Sequence, residues 1–150
     1  GIEMDDFRMF PVYDLISQLG LPCLIHTGFD PFSPDHSHAR PEQILKIHAQ
    51  FPKLRLILAH LGGIADWDAA EELLAGQGMM MDTAMVSEGL DREQAARIIR
   101  KNGAENVLMG SDMPWTTTAD AIAYLDSLPL TDREKEMIAG ENAARILSLL

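Results

Sequence analysis

Apolar positions along this chain follow two rhythms. Leu21 to Ile25, Leu54 to Ala59 and Val107 to Met109 are short runs without polar alternation. Such runs suit strands of a parallel sheet, buried on both faces beneath helices. Between them the spacing turns helical. Phe7, Phe10, Val12, Leu15, Ile16 and Leu19 predict an amphipathic helix closed by Gly20 and Pro22. Pro41 and Glu42 suit a first helical turn, because proline has no N–H to leave unpaired there and an acid complements the helix dipole. That helix passes through Ile44, Leu45, Ile47 and His48 and stops before Pro52. Asp66 is the expected N-cap of a helix lined by Trp67, Ala70, Leu73 and Leu74, which Gly76 and Gly78 end. Met79, Met80 and Met81 have only ordinary strand preference, but their short run between glycines favours a strand. Asp91 with Gln94 resembles a capping box for a helix through Ala95, Ile98 and Ile99. Thr118 is the expected cap of a helix through Ile122 and Leu125. Thr131 with Glu134 matches a capping box before a last helix of Met137, Ile138 and Ile146 to Leu149. The reading is α/β, strand and helix alternating about four times in one domain over residues 1–150, with right-handed crossovers.

The strand ends change the picture from fold to chemistry. The first run leads into His26, the second into His60, and the last into Gly110, Ser111 and Asp112. Ligands of parallel sheets gather at the carboxyl ends of the strands, so two imidazoles and a carboxylate should converge at one mouth. Imidazole nitrogen and carboxylate oxygen are good ligands for Zn(II) and similar ions. A lone histidine at a strand end is usually a hydrogen-bonded core residue; three polar residues at equivalent ends favour a divalent metal site that activates water.

Composition narrows the class. The formal charge is -11 with a pI near 4.7, and no basic patch interrupts it, which argues against nucleic acid or an anionic membrane as partner. Hydrophobic residues make up 47% at a mean hydropathy of -0.03, and every apolar run is shorter than the roughly 20 residues a membrane helix needs. Cys23 is the single cysteine, so neither an intrachain disulfide nor a cysteine zinc cluster is available. A cytoplasmic protein acting on a small molecule is the resulting expectation. A helix arriving first and feeding a buried strand looks like the middle of an alternating pattern, as in a piece of a longer protein.

Four segments carry a family resemblance: His26-Thr27-Gly28-Phe29-Asp30-Pro31, His60-Leu61-Gly62-Gly63, Gly110-Ser111-Asp112-Met113-Pro114-Trp115 and Glu141-Asn142-Ala143-Ala144-Arg145-Ile146-Leu147. Together they resemble the C-terminal half of the amidohydrolase-related metal-dependent hydrolases, TIM barrels whose branch here is similar to aminocarboxymuconate-semialdehyde and resorcylate decarboxylases. The resemblance implies that His26 is the fifth-strand metal ligand. It implies that His60 is the sixth-strand histidine that binds metal or orients water or substrate, and that Asp112 is the eighth-strand aspartate that binds metal and exchanges a proton. It implies a divalent ion, with Zn(II) expected. The reaction would be hydrolysis of an amide, ester or lactone, or non-oxidative decarboxylation of an unsaturated or aromatic acid. The family's first-strand His-x-His pair and its strand-four position have no counterpart here. The further alternative is therefore a catalytically incomplete half-barrel, which self-associates or needs a missing N-terminal half.

Other residues divide between chemistry and packing. Arg40 is a candidate for a substrate carboxylate, against a solvated loop arginine. Phe29 and Trp115 either wall the pocket or pack the loop. Asp82, at the end of the third strand, is a weaker candidate for substrate contact. His36-Ser37-His38 has the letters of a ligand pair but lies in a loop between Pro34 and Pro41, where i and i+2 need not point the same way. Solvated or loop-packing histidines are the plainer reading, with a substrate-side or adventitious metal role beside it. His48, among Ile44, Leu45 and Ile47, reads as structural. Four parallel strands cannot close a small barrel, so the inward residues Leu24, Ile57 and Leu108 should be open to water.

Overall fold

A computed structural model describes residues 2–147. Helix α1 (Phe10–Leu19), preceded by a 3₁₀ turn over Phe7–Met9, leads into β1 (Pro22–Ile25); then come α2 (Pro41–Gln50) and β2 (Arg55–Leu58). A short α3 (Trp67–Ala69) runs into a π-helical turn over Ala70–Leu74, before β3 (Met80–Asp82), α4 (Arg92–Asn102) and β4 (Val107–Leu108). The chain closes with α5 (Thr118–Ser127), α6 (Asp132–Glu136), a second π turn over Met137–Glu141, and α7 (Asn142–Ile146). The expected helical residue Leu149 lies outside the described residues. All strand pairs are parallel, in the order β1-β2-β3-β4, with Leu24 opposite Ile57, Leu58 opposite Met81 and Asp82 opposite Leu108. Sequence order equals spatial order, as in one arc of a barrel.

The capping chemistry explains most boundaries. Thr131 and Glu134 form the expected reciprocal box. The cap of α5 is Thr117, one residue before the expected Thr118, because Thr117 shares its hydroxyl with the Asp120 N–H while the Asp120 carboxylate reaches back. Asp91 caps α4 by accepting from the Gln94 N–H, but Gln94 turns its side chain to Asp68. Asp66 makes no side-chain cap. The predicted last strand is shorter than its apolar run, because the Met109 N–H donates to Ile138 O instead of a neighbouring strand.

Alternation along each strand sorts residues between two faces. Leu56, Leu58, Met81 and Val107 point into a core with Ile44 and Ile47 of α2, Leu74, Ile98 and Ile99 of α4, and Ile138. Each such side chain stabilises by roughly 1.5–3 kcal/mol when fully buried. Leu24, Ile57 and Leu108 point the other way and line a cleft of about 510 Å³. The expected opening to water is found at Leu24, 62% exposed, and is only partial at Leu108, but it fails at Ile57, which its neighbours shield to 7%. In α1, Val12, Leu15 and Leu19 face outward, and Tyr13 is the buried residue, its hydroxyl donating to Met4 O at 2.8 Å.

Buried amides tie strands to helices. Asn142 donates both amide protons to Ala104 O and Val107 O, each at 2.8 Å, so this residue of the terminal motif anchors the start of β4. Asn102 does the same for β3, accepting from the Gly76 N–H and donating to Met79 O. His48 Nε2 sits 3.1 Å from Gln77 O, a packing role.

Candidate active site

The carboxyl ends of the strands meet at one mouth. His26, His60, Asp82 and Asp112 line the cleft beside Leu24, Ile57 and Leu108, and an outer part is walled by His26, Phe29, Phe32, His60, Met85, Asp112 and Trp115. Three expected residues are thus brought to a common hollow, with Phe29 and Trp115 on its wall. Arg40 is not among them; it borders a neighbouring hollow with Phe29, His36 and Asp66. Asp112 and His26 are exposed, whereas His60 is 3% exposed.

Local backbone holds these groups in uncommon conformations. His60, Met85 and Asp112 all have left-handed φ, at 60°, 55° and 62°. Outside glycine such residues cost of order 1–3 kcal/mol each and persist only where surroundings over-determine them. At His60 the determinants are visible. Its N–H donates to Asp82 Oδ1 at 3.0 Å, its carbonyl accepts from the Trp67 indole at 2.9 Å, and its Nδ1 donates to Ala84 O at 2.9 Å. The loop after β1 is pinned to the same turn: Thr27 Oγ1 donates to Ala59 O, and the Phe29 N–H to Ile64 O. Gly28 makes this approach possible, since a Cβ there would lie 2.3 Å from Ile64 O.

Hydrogen bonding fixes which imidazole nitrogens are free. Ala84 O can only accept, so in the neutral ring His60 keeps its proton on Nδ1 and presents a lone pair at Nε2. His26 Nε2 faces Phe29 O at 3.1 Å, which likewise places its proton there and leaves Nδ1 bare. These two bare nitrogens lie 3.1 Å apart. Two lone pairs facing each other repel unless a proton or a cation sits between or beside them. Zn–N bonds of about 2.0–2.1 Å would accept this spacing on one ion. Each ring also donates its far N–H to a backbone carbonyl, the usual support of a metal-bound histidine. The donor set therefore fits a divalent ion held by His26 and His60, with the Asp112 carboxylate in the same cleft.

Asp82 is the residue that sequence reasoning undervalued. It is no rim contact: it is 8% exposed, and its Oδ1 accepts from the N–H groups of both His60 and Ala84. Burial pushes its carboxyl above the ordinary carboxylate range, the two N–H bonds and His60 pull it back, and the like charge of Asp112 pushes it up again. One oxygen thus braces the turns after β2 and β3. Its position at the end of a strand between those leading into His60 and Asp112 was the available signal.

A family model described as amidohydrolase matches residues 3–149. No curated protein matches the chain. Among solved structures, 5-carboxyvanillate decarboxylase from Sphingomonas paucimobilis superposes with a TM-score of 0.74 at 21% identity, over 98% of this chain and 55% of that one. The 5-carboxyvanillate decarboxylase of Novosphingobium aromaticivorans, complexed with manganese and 4-hydroxy-3-methoxy-5-nitrobenzoic acid, gives 0.73 at 13% identity over 99% and 53%. An uncharacterised TIM-barrel protein from Bordetella bronchiseptica gives 0.78 at 24% over 98% and 52%. At these identities the likeness establishes the fold: four parallel βα units of a TIM barrel. The chain spans about half the length of the solved structures it matches.

Proposed function

The chain belongs to the amidohydrolase family, and from that premise we propose that it carries the His26, His60 and Asp112 half of a divalent-metal centre for non-oxidative decarboxylation of an unsaturated or aromatic carboxylic acid. The observation that carries this reading is the pair of bare imidazole nitrogens 3.1 Å apart in one cleft with Asp112. The ion, Mn(II) or Zn(II), supplies Lewis acidity when bound. His26 and His60 hold their lone pairs toward it, each ring locked by a backbone carbonyl. Asp112 is the proton carrier: its carboxyl gives a proton to the ring or vinyl carbon from which the carboxyl group departs, and later regains one. Phe29, Phe32 and Trp115 offer flat apolar walls for an unsaturated substrate, with the Phe32 and Trp115 rings 6.2 Å apart. Arg40, outside the mouth hollow, is left the outer role of meeting a distal carboxylate. The named decarboxylases of the same fold support this choice of reaction.

Hydrolysis of an amide, ester or lactone is the second reading, favoured by the exposure of Asp112 and His26, which leaves water free access to the mouth. Either reaction calls for the remaining half of a barrel, from upstream chain or from a partner, because Leu24 and the outer stripe of α1 stand uncovered.

Metal analysis and carbon dioxide release, measured on the complete catalytic unit with Mn(II) and a hydroxybenzoate, test the proposal. His26→Ala and Asp112→Ala are each expected to remove most of the Mn(II) bound at the mouth and at least 100-fold of the turnover. Retention of that Mn(II) by both variants would overturn the metal assignment. Release of alcohol from an ester probe without release of carbon dioxide would replace decarboxylation by hydrolysis.

A further inference from the structure

The histidine pair left over from the mouth lies in a second cluster. The turn that begins with the Ser33 carbonyl accepting from the His36 N–H folds the loop after β1 so that the rings of His36 and His38 stand 4.6 Å apart, edge to face. Two residues apart in a loop, they converge without the alternation that would align them in a strand. The N-terminal segment crosses them: the Met4 N–H donates to His38 O at 2.9 Å, and Glu3 Oε1 meets His36 Nε2. One donor atom from each of Glu3, His36 and His38 falls within 4.8 Å of the others.

We propose that Glu3, His36 and His38 form a second divalent-metal site, separate from the mouth, which takes Zn(II) and clips the N-terminal segment onto the loop between β1 and α2. The donor chemistry is two imidazoles and a carboxylate, a set that binds zinc with a fourth position left for water. Donors on one tetrahedral zinc lie roughly 3.3–3.6 Å apart, so the widest pair has only about 1.5 Å to close, within reach of exposed loop side chains. The support is already built: Gln43, 6% exposed, donates to Glu3 Oε2 at 2.8 Å and to Asp5 Oδ1 at 3.0 Å, aiming the free Glu3 oxygen at His36. His38 Nδ1 is buried and makes no hydrogen bond, and a bare lone pair there is of the kind that a bound ion relieves.

The consequence reaches the mouth through chain connectivity. The same loop starts at His26, carries Phe29 and Phe32 on the mouth wall, and ends at Arg40. Zinc at the cluster fixes the α2 end of this rim to the N-terminal segment, a structural clip rather than a catalytic ion.

The test begins with the mouth silenced by His26→Ala and Asp112→Asn. This protein, stripped by chelator and dialysed against micromolar Zn(II), is expected to retain about one ion per chain. Adding Glu3→Gln, or separately His36→Gln at that exposed position, should lower zinc affinity at least tenfold. Zinc should slow amide exchange at Met4 and across 33–38 only while the cluster is intact. No retained zinc in the mouth-silenced chain, retention unchanged by both substitutions, or binding only at millimolar Zn(II) would each overturn the proposal, the last as an adventitious ion only. Wild type retaining one ion while the mouth-silenced chain retains none would assign that ion to the mouth alone.

Discussion

The two faces of the sheet obey different rules although they alternate residue by residue. On the helix face Leu56, Leu58, Met81 and Val107 are sealed by α2, α4 and the second π turn; on the cleft face Leu24 stands in solvent and Asp82 carries a buried carboxyl. One face collects packing energy. The other collects strain and polar groups: left-handed His60, Met85 and Asp112, and two imidazoles with facing lone pairs. The cost of holding those groups is met by burial across the sheet, which is why function and stability can be separated here by a single step along a strand.

The sharpest way to break this contrast is a pair of truncations. Leu58→Ala removes a fully buried side chain and should cost about 2–5 kcal/mol, whereas Leu24→Ala on the paired strand should stay within about 0.5 kcal/mol. Urea unfolding midpoints decide it, and equal losses would show that the cleft face is also a core.

Asp82→Ala tests the brace between the faces. It strands the N–H groups of His60 and Ala84, a loss of about 1–3 kcal/mol. It should also weaken metal binding by about 10–100-fold, as outer supports of ligating histidines do. A stability loss with unchanged metal affinity would make Asp82 structural only.

The smallest effect is one of pH, and the cleft face should respond with a sign opposite to that of the exposed turn before α1. Asp6, hydrogen-bonded by the Arg8 guanidinium and backbone, is held at about 2 against an ordinary 3.8. The folded state therefore binds that proton less readily, and the contribution of Asp6 is present above 3.8 and lost as pH falls through about 2. Asp82 is raised by burial, so its contribution is present below the ordinary value and lost as pH rises through the elevated one. Unfolding measured between pH 2 and 7 should show a flatter acid limb in Asp6→Asn and a weaker decline with rising pH in Asp82→Asn. A change of the same sign in both would contradict the burial argument.

Sequence by itself determined the alternation of strands and helices, the parallel sheet, and the identity of the strand-end residues at 26, 60 and 112. These follow from local rules: apolar runs without polar breaks, capping hydroxyls, and the geometric fact that residues ending parallel strands share one edge. Even the half-barrel was legible, because four strands cannot close. Tertiary structure alone decided how far the open face is uncovered, since Leu24 and Ile57 are equally apolar and only their neighbours shield one of them. It alone turned Asp82 inward, left Arg40 outside the mouth, and folded His36 and His38 against Glu3, because loop conformation and carboxylate orientation are set by contacts between residues far apart in the chain. No periodicity encodes contacts of that kind, and the bare nitrogens of His26 and His60 depend on carbonyls of Phe29 and Ala84 that only the folded chain brings to them.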